Sequence, residues 1–122
     1  PISNDPLEAR KLESYKNQLR VAYCMRFLPI SNFVKNELDR DSIFKISFKR
    51  SYYLPNWHPY ADYTKEYTAR KSLGGGIIRT LSHEIDLAVH WLGQPTIVNG
   101  IVDKLSNLQL DVDDFAFFSC KS

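Results

Sequence analysis

The chain has 122 residues, which is enough for one domain with a real core and too few for two ordinary domains. Its apolar share of 43% and aromatic share of 13% are typical of a folded globular protein and exclude an intrinsically disordered one. Sixteen basic and fourteen acidic residues leave a formal net charge of +2, too small to indicate a nucleic-acid-binding or membrane-binding surface.

The two cysteines, Cys24 and Cys120, lie far apart and have no metal-binding or redox spacing. We expect both to be buried as small apolar side chains in a reducing compartment, with a long-range disulfide as the alternative. No apolar run approaches the length of a membrane span, and the start of the chain lacks the features of a signal peptide and an initiator methionine. We therefore expect a cytoplasmic protein, of which this chain is a piece or a processed form.

The first elements predicted along the chain are a helix and a buried strand. Asp5 is expected to cap the helix, with Pro6 at its first position and Glu8 closing a capping box, and an apolar stripe extends it to about residue 18. Residues 19–24 form an apolar run without alternation, which predicts a strand covered on both faces. This order is typical of a doubly wound α/β sheet.

A second helix is predicted to begin at a cap formed by Ser31, with Phe33, Val34 and Leu38 on its inner face. Over residues 43–52 apolar and polar side chains alternate, which predicts a half-buried strand in an antiparallel sheet. The basic side chains of this segment fall mostly opposite the aromatic ones, which favours a core strand over a nucleic-acid platform. Residues 54–73 show no period and form a loop of a length that is usually functional.

The second half of the chain contains a glycine run, a helix and two strands. Gly74, Gly75 and Gly76 allow a tight turn or a close approach of ligand to backbone, and a helix is predicted over 77–92. Strands are predicted over 96–105 and 115–120, with a turn-rich link at 107–114. The predicted fold class is mixed α/β (α+β).

The helix after the glycines carries the first candidate for chemistry, His83. It lies within two turns of the helix start, where the helix dipole favours the neutral imidazole, and a neutral imidazole can accept or donate a proton. A histidine that caps or packs is the alternative interpretation. Asp86 and His90 share the same helical stripe.

A metal site on that stripe is not favoured by the spacing. Leu87 occupies the position of the second histidine in the zinc-binding HExxH pattern. His83 and His90 are separated by seven residues, or roughly 10 Å along a helix, which is too far for a single ion. We predict no metal, and a metal-dependent hydrolase that uses His83, Asp86 and His90 is kept only as an alternative.

The long loop at 54–73 is rich in aromatic and basic side chains. Trp57, His58, Arg70 and Lys71 suit a hydroxylated or anionic small ligand, which would bind by stacking and charge-assisted hydrogen bonds. The alternative is a loop that folds over an apolar face.

Taken in order, several segments resemble the glucose-fructose oxidoreductase / inositol dehydrogenase (Gfo/Idh/MocA) family. The resemblance rests on the start PIS (1–3), which looks like the segment after that family's Glu-Lys-Pro motif, and on VAYCMRFLP (21–29), YLPNWHP (53–59) and ARKSLGGG (69–76). The SHEID run (82–86) is similar to one branch of the family. The match covers nearly the whole chain.

The resemblance implies a domain organisation and a cofactor. Residues 1–24 would be the last helix and strand of a Rossmann domain. Residues 25–122 would form an incomplete C-terminal domain that binds substrate and forms homo-oligomers through a mostly antiparallel open sheet with packing helices. NAD or NADP would be bound mainly by a domain upstream, with Pro1 on the cofactor side. The family's catalytic lysine would immediately precede Pro1, so this chain alone is expected to be inactive.

The resemblance also implies roles for single residues in hydride exchange with a sugar, a nucleotide sugar or a polyol. His83 matches the family's motif histidine, which shares in proton transfer, and Thr80 stands where the family usually has aspartate. Arg26, Trp57, Arg70 and Lys71 are the substrate-side candidates. The alternative from another class is a non-catalytic binding or assembly module, in which Thr80 marks lost chemistry.

Overall fold

The computed structural model describes residue 3 and residues 5–121. Four α-helices lie within them, α1 (Pro6–Lys11), α2 (Pro29–Glu37), α3 (Ile77–Thr80) and α4 (Ser82–Leu92), followed by the strands β1 (Ile97–Asp103) and β2 (Phe115–Lys121). The two strands pair antiparallel in one two-stranded sheet. The described residues therefore have a mixed α and β fold.

Helix α1 begins as predicted but ends earlier. The side chain of Asp5 caps it by accepting a hydrogen bond from the Leu7 amide at 2.8 Å. Glu8 does not close a capping box, because it pairs with Lys11 at 2.6 Å, and the Asp5 amide donates to the Ser3 hydroxyl instead. The helix ends at Lys11 rather than near residue 18, since its apolar stripe stays exposed and a short helix without packing is marginal.

The prediction of a strand at residues 19–24 is wrong for the described chain. The amides of Tyr23 and Cys24 bond back to carbonyls two residues earlier, and a 3₁₀ turn follows over Cys24–Phe27. Local bonding replaces a ladder here because no described strand lies beside the segment. The assignment of residues 1–24 to a Rossmann domain stays a prediction.

The cysteines were predicted to be buried, and both are exposed as free thiols. Cys24 belongs to the 3₁₀ turn, and Cys120 lies on β2 opposite Val98, whose side chain is also exposed. Burial of either thiol would need a covering layer, and the described residues do not supply one. The apolar pattern around each cysteine therefore did not determine its burial.

Helix α2 begins two residues before its predicted cap. Pro29 takes the first helical position after Leu28, so Ser31 lies inside the helix. Its side chain is 1% exposed and accepts a hydrogen bond from Trp91 of α4 at 3.2 Å. The ammonium of Lys35 donates to the carbonyl of His90 at 2.8 Å, so α2 is attached to the end of α4.

The prediction of a strand at 43–52 is also wrong for the described residues. The segment has no regular secondary structure and no ladder partner, and Phe44 at its start is fully exposed. Its other aromatic side chains make the contacts instead. Phe48 stacks on Trp91 and Tyr52 packs on Trp57, with ring centroids 5.5 and 5.2 Å apart. The segment therefore connects the end of α4 to the long loop.

The core lies where the long loop meets the link between the two strands. Ala69, Leu110 and Val112 are buried together, with Leu54 and Leu108 packed against them. The loop at 54–73 is built from 3₁₀ turns over Leu54–Asn56, Tyr63–Lys65, Tyr67–Ala69 and Lys71–Leu73. Part of the loop is therefore folded over an apolar face, which was the alternative interpretation of this segment.

The strand pair and its link agree with the prediction for residues 96–120. Ile101 lies opposite Phe117 in the ladder, and Asp114 closes the link by accepting from the Leu105 amide at 2.7 Å and from Ser106. Burial works against the charged form of Asp114, but the hydrogen bonds from Ser106 and Leu105 outweigh it, so its pKa lies below the ordinary value. Among the helices of the described residues, none is long and apolar enough to cross a membrane.

Candidate active site

The glycine run forms the tight turn that precedes α3. Gly74 and Gly76 have φ angles of 82° and 115°, in the region that favours glycine. A Cβ atom on Gly75 would lie 2.2 Å from the carbonyl oxygen of Tyr67. The run is therefore required by the packing of the chain on itself.

Asp113 holds this turn from the other side. Its carboxylate accepts a hydrogen bond from the Ile77 amide at 2.8 Å, and its carbonyl accepts from the same amide at 3.1 Å. The first N–H of α3 is thus capped by a residue from the link between the strands. Asp113 is not among the sequence-predicted site residues, because nothing in the sequence around it relates it to a helix 36 residues away.

The helix predicted over 77–92 is divided in two at Leu81. Leu81 has φ −104° and ψ 38°, outside the helical region, so α3 ends at Thr80 and α4 starts at Ser82. This break places Thr80 at the end of one helix and His83 in the first turn of the next. In the part of the chain that the structure describes, three buried polar atoms here have no hydrogen-bond partner: Thr80 Oγ1, His83 Nδ1 and Glu84 Oε2.

The imidazole of His83 is positioned by a short chain of contacts. The ring of Tyr23 meets it edge-on, with centroids 5.8 Å apart and an interplanar angle of 86°. The guanidinium of Arg26 lies 5.7 Å from the centroid of the same Tyr23 ring. The 3₁₀ turn before α2 therefore contacts the first turn of α4 through these side chains.

Arg26 makes a two-pronged ion pair with Asp86 one turn beyond His83. Its Nε donates to Asp86 Oδ2 at 2.7 Å, and a second nitrogen donates to Oδ1. The Asp86 side chain is 6% exposed, against 39% for Arg26. The hydrogen bonds that Arg26 donates to Asp86 raise the pKa of Arg26, and burial opposes that rise only in part. The pair therefore attaches α4 to the Cys24–Phe27 turn.

We expect Arg26→Met to destabilise the protein by about 2 kcal/mol, because it leaves the buried Asp86 carboxylate without a partner. The exposure of Arg26 keeps this below the loss for a fully buried pair. Urea unfolding followed by circular dichroism measures the change.

Lys11→Met is the matched control, since it breaks an exposed Lys–Glu pair and should cost about 0.5 kcal/mol or less. Equal losses in the two variants would contradict a structural role for the Arg26–Asp86 pair.

A cavity of about 310 Å³ opens beside the end of α3. Its wall contains four aromatic residues, Tyr52, Tyr53, Trp57 and Phe115, and three that carry an aliphatic hydroxyl, Thr68, Thr80 and Ser106. Core side chains line much of the rest, so the wall is mainly apolar, with two carboxylates, Asp113 and Asp114, among its polar groups. This composition is typical of a small-molecule site.

The sequence-predicted site residues fall into separate groups. Thr80 and Trp57 line the cavity, whereas His83 belongs to the neighbouring turn and is not on its wall. Arg26 is engaged by Asp86. The role of Arg26 in substrate binding therefore stays a prediction. To fill it, Arg26 would have to contact the substrate through the exposed part of its side chain.

The two basic site candidates of the long loop, Arg70 and Lys71, make different contacts. Arg70 Nε donates to the carbonyl of Thr64, which ties the loop to itself. The Lys71 amide donates to Asp111 at 2.7 Å, and Lys71 lines a second cavity on the other side of the glycine turn. Pro1, predicted to lie on the cofactor side, is outside the described residues.

The described residues offer no ligand set to the hydrolase alternative. Both carboxylate oxygens of Asp86 accept from Arg26, which leaves His83 and His90 without the intervening ligand. Within residues 5–121, the structure contains no group of three or more His, Cys, Asp or Glu side chains arranged to hold a metal ion.

Comparisons of this chain with protein-family models, with curated proteins and with solved structures found no match. A function for this chain is therefore inferred from the geometry of its residues and from the motifs in its sequence.

Proposed function

We propose that this chain is the substrate-binding part of an NAD(P)-dependent oxidoreductase that exchanges hydride with a hydroxyl-bearing carbon of a sugar, a nucleotide sugar or a polyol. The observation that carries the proposal is the junction of α3 and α4. It places Thr80 on the wall of an aromatic cavity and, in the first turn of the next helix, His83, whose buried Nδ1 has no hydrogen-bond partner among the described residues. The family resemblance of the motifs that surround this junction supports the same activity.

The cavity suits a sugar ring in size and chemistry. Its volume of about 310 Å³ lies at the lower end of the range for small-molecule pockets. Tyr52 and Trp57, whose ring centroids are 5.2 Å apart, offer apolar faces to the C–H groups of a sugar, and the lining also contains polar residues such as Ser106 and Asp113. We infer that the cavity holds the ring while polar groups in its wall select the hydroxyl pattern.

The described residues do not form a cradle for the dinucleotide. A pyrophosphate needs glycine amides open at the start of a helix, and here Gly75 packs on Tyr67 while Gly76 packs on Asp113. The proposal therefore assigns the cofactor to residues other than those described. His83 is proposed to move the proton of the substrate hydroxyl. Thr80 stands where a carboxylate would orient the histidine more strongly, and among the described residues neither its hydroxyl nor His83 Nδ1 has a hydrogen-bond partner.

We expect Trp57→Ala to weaken the binding of a sugar-like ligand by about tenfold, because the cavity loses its largest stacking surface. The measurement is a titration of the chain with a panel of free sugars, nucleotide sugars and inositols, followed by calorimetry and tryptophan fluorescence.

Trp91→Phe is the matched control, since Trp91 stacks on Phe48 at the far end of α4 and does not line the cavity. The chain has two tryptophans, so this variant reports on Trp57 alone and should show the same quenching and affinity as the unchanged protein. A panel without saturable binding, or equal affinity in Trp57→Ala, would count against a sugar site in this cavity.

A second candidate is a non-catalytic assembly module. It is favoured by the strand pair, where Ile101 and Phe117 lie opposite each other and are each 61% exposed. A face of this kind would form homo-oligomers by burying its apolar side chains against a second copy. A concentration-dependent oligomer in sedimentation, together with no ligand from the panel, is the result that favours this candidate.

A further inference from the structure

We propose that the second cavity, on the opposite side of the glycine turn, is a binding site for a phosphate group. The cavity has a volume of about 550 Å³. Three cationic side chains from separate segments line it: Lys71 from a 3₁₀ turn, Arg79 from α3 and Lys104 immediately after β1. The proposed function does not assign any role to Arg79 or Lys104.

Two of the three cationic groups are held at backbone carbonyls. Arg79 donates from one terminal nitrogen to Gly75 at 3.2 Å, and the ammonium of Lys104 donates to Ser106 at 3.1 Å. A guanidinium has five N–H donors and an ammonium three, so both groups keep donors for a ligand. The side chains are thereby anchored in position without being saturated.

The carboxylates in the wall are already engaged by backbone amides. Asp111 accepts from the Lys71 amide at 2.7 Å, and Asp113 accepts from the Ile77 amide at 2.8 Å. Within residues 5–121, none of the three cationic side chains forms an ion pair with them or with another carboxylate. Three cations against two carboxylates leave an excess of positive charge, which favours an anion.

The arrangement favours phosphate over a carboxylate. Donors that come from three separate segments approach a ligand from three directions, which matches the three free oxygens of a tetrahedral phosphate better than a planar carboxylate. The two cavities are neighbours, because Val112 and Asp113 line both of them. They differ at the glycine turn, where Gly75 lines this cavity and Gly76 lines the aromatic one. The phosphate site is therefore separate from the aromatic cavity and does not depend on the activity proposed there.

The test is a titration of the full chain with inorganic phosphate at constant ionic strength, followed by amide chemical shifts. We expect saturable shifts at Lys71, Gly75 and Lys104. The double variant Lys71→Gln/Arg79→Gln should bind at least about tenfold more weakly, since it loses two charge-assisted contacts. Asp111→Asn keeps the acceptor for the Lys71 amide but removes a negative charge, so it should bind phosphate more tightly.

The matched control is Lys45→Gln/Lys49→Gln, which removes two exposed charges from the extended segment and should leave the affinity within about twofold. If Lys71→Gln/Arg79→Gln does not fold, the single variant Lys104→Gln, which lies outside the glycine turn, repeats the test. Equal weakening by both double variants, shifts that do not saturate, or acetate binding as tightly as phosphate would each overturn the proposal.

Discussion

We expect His83→Ala to lower the turnover of a sugar or polyol by the proposed NAD(P)-dependent oxidoreductase by about a hundredfold or more, while the affinity for that substrate stays nearly constant. The reason is that the imidazole belongs to the first turn of α4, where Tyr23 fixes its ring edge-on and its buried Nδ1 has no hydrogen-bond partner among the described residues. Initial rates of NAD+ or NADP+ reduction at saturating substrate, measured across pH, give the change.

His90→Asn is the control for this variant. His90 lies on the same helix, outside the proposed site, and its pKa is lowered by burial and by the charges of Arg26 and Lys35. We expect it to keep turnover and the pH profile of the unchanged protein. Unchanged turnover in His83→Ala would remove this histidine from the mechanism, and equal losses in both variants would indicate damage to α4 instead.

The features that the sequence predicted correctly depend on contacts between near neighbours. Asp5 caps α1 through an amide two residues away, and the strands over 97–103 and 115–121 pair through a short turn-rich link. Gly74 and Gly76 have positive φ angles, which a run of glycines makes accessible whatever surrounds it. In each case the residues that determine the structure are contained in the segment itself.

The two strands that the structure does not contain had equally clear patterns. Residues 19–24 are apolar and residues 43–52 alternate, yet neither segment has a strand beside it among the described residues. A pattern of apolar side chains indicates which face a strand could bury. A strand also needs the backbone of a neighbouring strand for its ladder of hydrogen bonds. The side chains of 43–52 stack on Trp91 and Trp57 instead, which no local rule predicts.

The candidate site was predicted in part for the same reason. The glycine run and the helix indicated His83 and Thr80, but the break at Leu81, which separates the two residues onto different helices, has no signal such as a proline. The Arg26–Asp86 pair joins residues 60 positions apart. Asp86 is buried in the structure, and a buried carboxylate needs such a partner, but the sequence analysis placed it on a stripe with His83 and His90.

The glycine turn gives the second large effect that we expect. Gly75→Ala should destabilise the protein by about 3 kcal/mol or more, because the new Cβ would lie 2.2, 2.8 and 2.9 Å from the carbonyl oxygens of Tyr67, Thr68 and Arg70. These are backbone atoms, so relief requires moving the loop that carries the buried Ala69. The measurement is the free energy of unfolding in urea, with near-ultraviolet circular dichroism reporting on the aromatic cavity.

Gly74→Asn is the matched variant, because it tests the need for a left-handed backbone in the turn without introducing this clash. Gly74 has a φ of 82°, in the left-handed region that asparagine tolerates better than other side chains, so we expect a loss of about 1 kcal/mol or less. A turn that served only to reverse the chain would tolerate both substitutions about equally. A much larger loss for Gly75→Ala would mean that the position of α3, and with it that of Thr80 on the cavity wall, depends on the contact between Gly75 and the Tyr67–Ala69 turn.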